Sequence, residues 1–122
     1  MDPGIALDKD AVLKFFADLR RAVNGHDKRA VARLIEFPVR VEVVNGVRFS
    51  HKITEGEFLR HYDEIVTPCI RDRINDTDPL RLHGGWKGYD IGLGQVWFDL
   101  TAHGPRILTF NNHSEWCVSP KR

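Results

Sequence analysis

The stretch Val39-Arg40-Val41-Glu42-Val43-Val44-Asn45-Gly46-Val47-Arg48-Phe49-Ser50-His51 is where the chain changes its period. Two β-branched, alternating runs flank Asn-Gly, a pair that tolerates the positive φ a type I′ turn needs at both central positions. A two-residue loop fixes the register of such a hairpin. It sets Val44 opposite Val47, Val43 opposite Arg48, Glu42 opposite Phe49 and Arg40 opposite His51. Neither face is purely apolar: Val39, Val41 and Val43 share one with Arg48 and Ser50, and Val44, Val47 and Phe49 share the other with Arg40, Glu42 and His51. A strongly twisted ribbon at a sheet edge tolerates this mixture.

Upstream, the pattern is helical. Val12, Phe15, Phe16, Leu19 and Val23 recur on one stripe of a helix predicted from about Asp8 to Asn24. Asp8 and Asp10 suit its positive end, and Asn24-Gly25 supplies a stop. Asp27 is then placed to cap a shorter helix with Val31, Leu34 and Ile35 inward, ended by Pro38. Downstream, Thr54-Glu55-Gly56-Glu57 is a capping box that opens a helix carrying Phe58, Tyr62 and Ile65. Thr67-Pro68 starts another, with Cys69, Ile70 and Ile74 inward. Strands are expected at Leu80–His83, Trp86–Gly92, Gly94–Thr101 and Arg106–Asn111, with His103-Gly104-Pro105 turning the last pair. In the third strand Val96, Phe98 and Leu100 share one face; Gln95, Trp97 and Asp99 share the other.

This order predicts an α+β fold, with helices packed on a strongly curved antiparallel sheet. The chain is 122 residues and 42% hydrophobic. That suits one folded domain over residues 1–122, with its core within about 8–112. Eighteen basic against 17 acidic residues leave +1, which argues against binding nucleic acid through bulk charge. No apolar run approaches the length of a membrane span. Cys69 and Cys117, the only cysteines, are read as buried free thiols, with a disulfide between them as the alternative. Met1-Asp2-Pro3-Gly4 does not begin a signal peptide. A cytoplasmic protein is therefore the default, or a periplasmic or secreted one if such a peptide was removed.

Element order, the Phe15-Phe16 helix and the run Gly92-Leu93-Gly94-Gln95-Val96-Trp97-Phe98 entering a long strand resemble the NTF2-like (SnoaL-like, cystatin-like α+β) superfamily. The likeness extends over about residues 8–112. It implies a curved sheet wrapped round a helix, often enclosing a conical pocket. Such folds host enzymes, binders and assembly modules alike, so function must be argued from the site. Ketosteroid isomerases of this superfamily use a tyrosine on the first helix. This chain has Phe15 and Phe16 there, so that activity does not carry over.

The residues suited to a pocket are Tyr62, Trp97, Asp99, His61, Arg40 and His113. Tyr62 and Trp97 bring apolar area with one polar handle each, and an inward Asp99 could serve as a base. Three functions follow. The first is a binder of a small, partly apolar molecule in the cone, as a homodimer through the sheet face. The second is a lyase, isomerase or hydrolase with Asp99 or His61 as base and Tyr62 as donor. The third is a protein-interaction module whose open sheet face uses Trp97 and Trp86 as anchors. Gly84-Gly85 and Gly92-Leu93-Gly94 lack the following helix a phosphate cradle requires, and no histidine or cysteine spacing matches a metal site. Neither a cofactor nor a metal is expected.

Overall fold

A computed structural model describes residues 9–42, 52–82, 84–85, 88–92 and 94–111. Helix α1 spans Lys9–Asn24 and buries Val12, Phe15, Phe16, Leu19, Ala22 and Val23. It contains the whole expected stripe. Its end is a Schellman closure: Asp27 N–H donates to Ala22 C=O at 2.9 Å and His26 N–H to Val23 C=O at 3.2 Å. His26 takes the left-handed position there, with φ of 54°. Helix α2 (Lys28–Ala32) follows, and the Asp27 side chain accepts from Ala30 N–H as the N-cap.

The second helix does not continue to Pro38. Strand β1 begins at Ile35 and runs to Val41, with Pro38 inside it. The ladder to the last strand is interrupted between Ile35 and Arg40. A residue with no N–H to offer is tolerated in such an irregular stretch. Pro38 is exposed there, after a cis peptide bond.

Strand β2 (Lys52–Ile53) pairs antiparallel with β1, Val39 opposite Ile53 and Arg40 opposite Lys52. An uninterrupted ladder from a two-residue turn would place Arg40 opposite His51, so the expected register is off by one. The Val44–Val47 pairing and the Asn45-Gly46 turn lie outside the described residues.

Thr54 completes its capping box with Glu57 at the start of α3 (Glu55–Arg60). The helix breaks at His61, and α4 (Tyr62–Ile65) continues beyond it. Phe58, Tyr62 and Ile65 are buried in spite of the break. Helix α5 (Pro68–Asp76) opens with Thr67 as N-cap and Pro68 in the first turn. Ile70 and Ile74 are buried; Cys69 is half-buried and disulfide-bonded. This corrects the expectation of free thiols. Cys117, the other cysteine of the chain, lies outside the described residues.

Strands β3 (Gly84–Gly85), β4 (Gly88–Ile91), β5 (Val96–Thr101) and β6 (Gly104–Phe110) complete the sheet. Leu80–Leu82 is turn and bend rather than strand, and Leu80 is exposed. The order across the sheet is β2-β1-β6-β5-β4-β3. Its neighbours are antiparallel except β1 and β6, which run parallel. The sheet is thus mixed, not antiparallel as expected. After β2 the chain crosses by three helices and returns so that β6 lies beside β1. That pairing is non-local, and no turn residue announces it.

One face of the sheet meets the helices. Phe98 on β5 lies 4.9 Å from Phe15 and 5.8 Å from Phe16, ring centre to ring centre. Phe58 stacks on Phe110 at 5.9 Å. Arg20 ties α1 to the end of α5, with Nε donating to Ile74 C=O at 3.3 Å and the guanidinium reaching Thr77 C=O. Asn24 and Asn75 exchange amide hydrogen bonds at 3.0 and 2.9 Å. Aromatic and aliphatic side chains fill the space between the layers. Among the described residues no helix is long and apolar enough to cross a membrane.

Candidate functional site

The residues expected to share a pocket fall on two sides of the sheet. Val96 and Phe98 are buried against the helices, so the alternating Trp97 and Asp99 point away from them. Tyr62 is buried on the helix side, packed against Phe58 at 5.7 Å. A site combining Tyr62 with Trp97 and Asp99 is therefore not assembled. The alternation of large apolar residues on β5 carried this information, because three of them compete for the core face. His61, at the helix break, is half-exposed, its Nδ1 2.7 Å from Glu64 Oε1. It covers the helix edge. Asp99 accepts from the N–H of Leu100 at 2.7 Å and stands opposite Arg106. His113 and Trp86 lie outside the described residues.

Two of the expected residues, Arg40 and Trp97, do come together. They line an open depression of about 460 Å³ on the outer face, with Glu42, Leu108, Thr109 and Asn111. The strand pairing explains their meeting. Arg40 is opposite Thr109, and Thr109 is opposite Trp97. Lys52 extends the row at one end and Asp90 at the other. Lys52-Arg40-Thr109-Trp97-Asp90 thus forms one cross-strand line on the outer face, with none of its members buried. At a strand spacing of about 4.8 Å it spans roughly 19 Å. Sequence reading missed Lys52, Thr109 and Asp90, because membership in the row depends on which strands are neighbours.

The indole of Trp97 is anchored rather than free. Its Nε1–H donates to Gly94 C=O at 3.1 Å, and Asn111 Nδ2 donates to the same oxygen at 3.2 Å. Gly94 has φ of 89°, in the left-handed region open to glycine. The turn that sharpens the β4–β5 connection thus also fixes the ring. Arg40 and Glu42 approach each other to 4.0 Å beside it. The depression offers a flat apolar ring, a guanidinium and several hydrogen-bonding side chains. These groups can bind a partner. An acid–base pair for proton transfer is not among them.

Tyr62 lies in a different setting. His26 packs edge-on against its ring at 5.2 Å, and the Lys28 ammonium stands 5.9 Å from the ring centre. Burial, then the nearby Asp63 and Asp27, raise its phenol above the usual tyrosine value; Arg71 opposes them. The phenol is therefore a firm proton holder at neutral pH. Among the described residues, no group of three or more His, Cys, Asp or Glu is placed to hold a metal ion.

Compared with family models, curated proteins and solved structures, the chain matches none of them.

Proposed function

We propose that this protein is an interaction module that pairs with a second copy of itself through the outer face of its sheet. The observation carrying this reading is the row Lys52-Arg40-Thr109-Trp97-Asp90. A two-fold axis through Thr109 reverses the row on the partner. Asp90 then faces Lys52 and Trp97 faces Arg40, so each charge meets an opposite charge or an aromatic ring. Isologous interfaces need this self-complementarity, and an arginine over a tryptophan face is among the better cation–π pairs. Trp and Arg are also the residues most enriched at interface hot spots. The element order supports an NTF2-like architecture whose interior is filled by its own side chains, leaving the outer face for recognition.

A second reading rests on the volume of the depression. About 460 Å³ falls within the usual range for small-molecule sites. A planar, partly apolar ligand could stack on Trp97 with an acidic group on Arg40. No catalytic step is proposed, because Tyr62 and Asp99 stand on opposite sides of the sheet and His61 is engaged with Glu64.

Sedimentation equilibrium tests the dimer. The wild type is expected to dimerise, and Asp90→Lys to weaken association by at least roughly tenfold, about 1.4 kcal/mol. Lys52→Asp combined with Asp90→Lys should restore it, because the swapped charges meet again. A wild type that stays monomeric at every concentration sinks the dimer, and so does an Asp90→Lys variant that associates normally.

A further inference from the structure

The Trp97 indole and the Asn111 amide donate to one oxygen, the Gly94 carbonyl, at 3.1 and 3.2 Å. A carbonyl oxygen has two lone pairs, and these donors use both. The indole bond is local, tying the ring to a carbonyl three residues earlier in its own turn. Gly92 (φ 77°) and Gly94 (φ 89°) belong to that turn, and glycine has no side chain to hold its backbone in place. Tied to the turn alone, the ring would move whenever the turn did.

Asn111 removes this freedom. It follows Phe110, the last residue of β6. Its backbone N–H donates to Gln95 C=O at 2.7 Å, and its side chain reaches on to Gly94 C=O. One residue of the neighbouring strand thus grips two successive carbonyls of the turn. Asn111 also lines the outer depression with Thr109 and Trp97. The proposed two-fold axis passes through Thr109, two residues before it on the same strand. The amide therefore fixes the ring relative to the strand that carries the axis.

We infer that Asn111 is a positioning residue for recognition by the outer face. It holds the Gly94 carbonyl, and through it the Trp97 ring, so that the ring meets the partner copy already in place. This role rests on the dimer reading above. An anchor side chain ordered only on binding charges that ordering to the affinity, which weakens association about three- to tenfold. Sequence spacing did not point to Asn111, because its contact with Gly94 spans 17 residues.

Asn111→Ala tests this, since it keeps the backbone bond and deletes the amide. Nitrogen relaxation of the Trp97 indole is measured in dilute, monomeric protein, with the signal recognised by its loss in Trp97→Phe. Sedimentation equilibrium is run alongside. The indole order parameter should fall from about 0.85 in the wild type to below about 0.6 in the variant, and the dimer dissociation constant should rise about three- to tenfold. Asn75→Ala breaks the Asn24–Asn75 amide pair on the helix side. It should change neither reading, which separates positioning from a general loosening of the fold. Asn111→Asp keeps the size and loses the donor, so it carries the test if the alanine variant does not fold. An indole as ordered without the amide as with it overturns the inference, and so does wild-type association by a variant whose indole is loose. A wild type that never dimerises overturns the dimer reading instead, and the indole order parameter alone then decides whether Asn111 positions the ring.

Discussion

Phe98 and Trp97 are adjacent in the chain and face opposite sides of one strand. Phe98 is fully buried among Phe15, Phe16 and Tyr89. Trp97 is half-exposed, with its indole held by a turn carbonyl and set in a row of charged and polar neighbours. Both are large aromatics, and composition alone cannot separate them. What separates them is the layer each meets: one side of the sheet has helices to bury against, and the other has none among the described residues. The inner face stabilises the fold, and the outer face carries the row on which the proposed dimer rests.

Truncating each residue to alanine should expose the contrast at its largest. Phe98→Ala, like Phe16→Ala, removes a ring from a filled interior and should cost roughly 3–5 kcal/mol. That is a large part of a stability of about 5–15 kcal/mol. Trp97→Ala should cost the isolated protomer much less, roughly 1 kcal/mol or below, yet abolish association. Urea denaturation of both variants, alongside their sedimentation, checks this. Equal losses of stability would mean that the outer face also belongs to the core.

A covalent link comes next in size. Cys69 on α5 is disulfide-bonded, and Cys117 is the only other cysteine in the chain. Peptide mapping should recover the two joined within one chain. Reduction should lower stability by about 2–4 kcal/mol, as expected for cross-links closing loops of tens of residues. The effect should add to that of Trp97→Ala and leave dimer affinity unchanged, because α5 lies on the helix side. Loss of association on reduction would tie the two faces together and blur the comparison.

What could be read in the sequence was local. The α1 stripe, the Asp27 cap, the Thr54–Glu57 box and the Thr67-Pro68 start depend on residues within a turn or two of each other, and all of them form. The misreadings depended on distant partners. Ile35 and Pro38 look like the end of a helix until β6 lies alongside them. The Arg40–Lys52 register departs from the one Asn45-Gly46 suggests. Which face of β5 looks inward followed from competition between Val96-Phe98-Leu100 and Trp97-Asp99, and even there Leu100 ends up 36% exposed. The candidate pocket failed for the same reason, since placing Tyr62 beside Trp97 required knowing which side of the sheet each would occupy. His26 sits in the turn that follows α1. It is exposed, but its contacts with Asp63 and Tyr62 bridge sequence separations that no spacing rule covers.

His26 allows a finer test on the helix side. Its φ of 54° suits glycine, and a non-glycine residue there costs on the order of 1 kcal/mol. The His26–Asp63 pair has side-chain exposures of 62% and 71%, so it returns little. His26→Gly should therefore be more stable than His26→Ala by about 1 kcal/mol, because both lose the pair and only one relieves the backbone. Thermal melts of the two variants decide it. Alanine equal to glycine would mean that His26 is not held in the left-handed conformation.

The smallest expected effect is the most diagnostic. Tyr62→Phe deletes one oxygen that has no hydrogen-bond partner among the described residues. Near neutral pH the variant should match the wild type or exceed it by up to about 1 kcal/mol, because no bond is lost and a buried polar group is removed. The two should diverge in alkali. Burial first, then Asp63 and Asp27, raise the folded-state pKa above the ordinary value. The native state thus holds that proton more tightly than the unfolded chain does. The stability this contributes is fully present below the unfolded value of about 10 and is lost as pH rises through the higher native one. Wild type should therefore lose stability above about pH 10 faster than Tyr62→Phe, and phenolate absorbance should locate the late-titrating tyrosine by its disappearance in the variant. A cost of about 1 kcal/mol or more at neutral pH would mean that the hydroxyl is hydrogen-bonded in the folded protein.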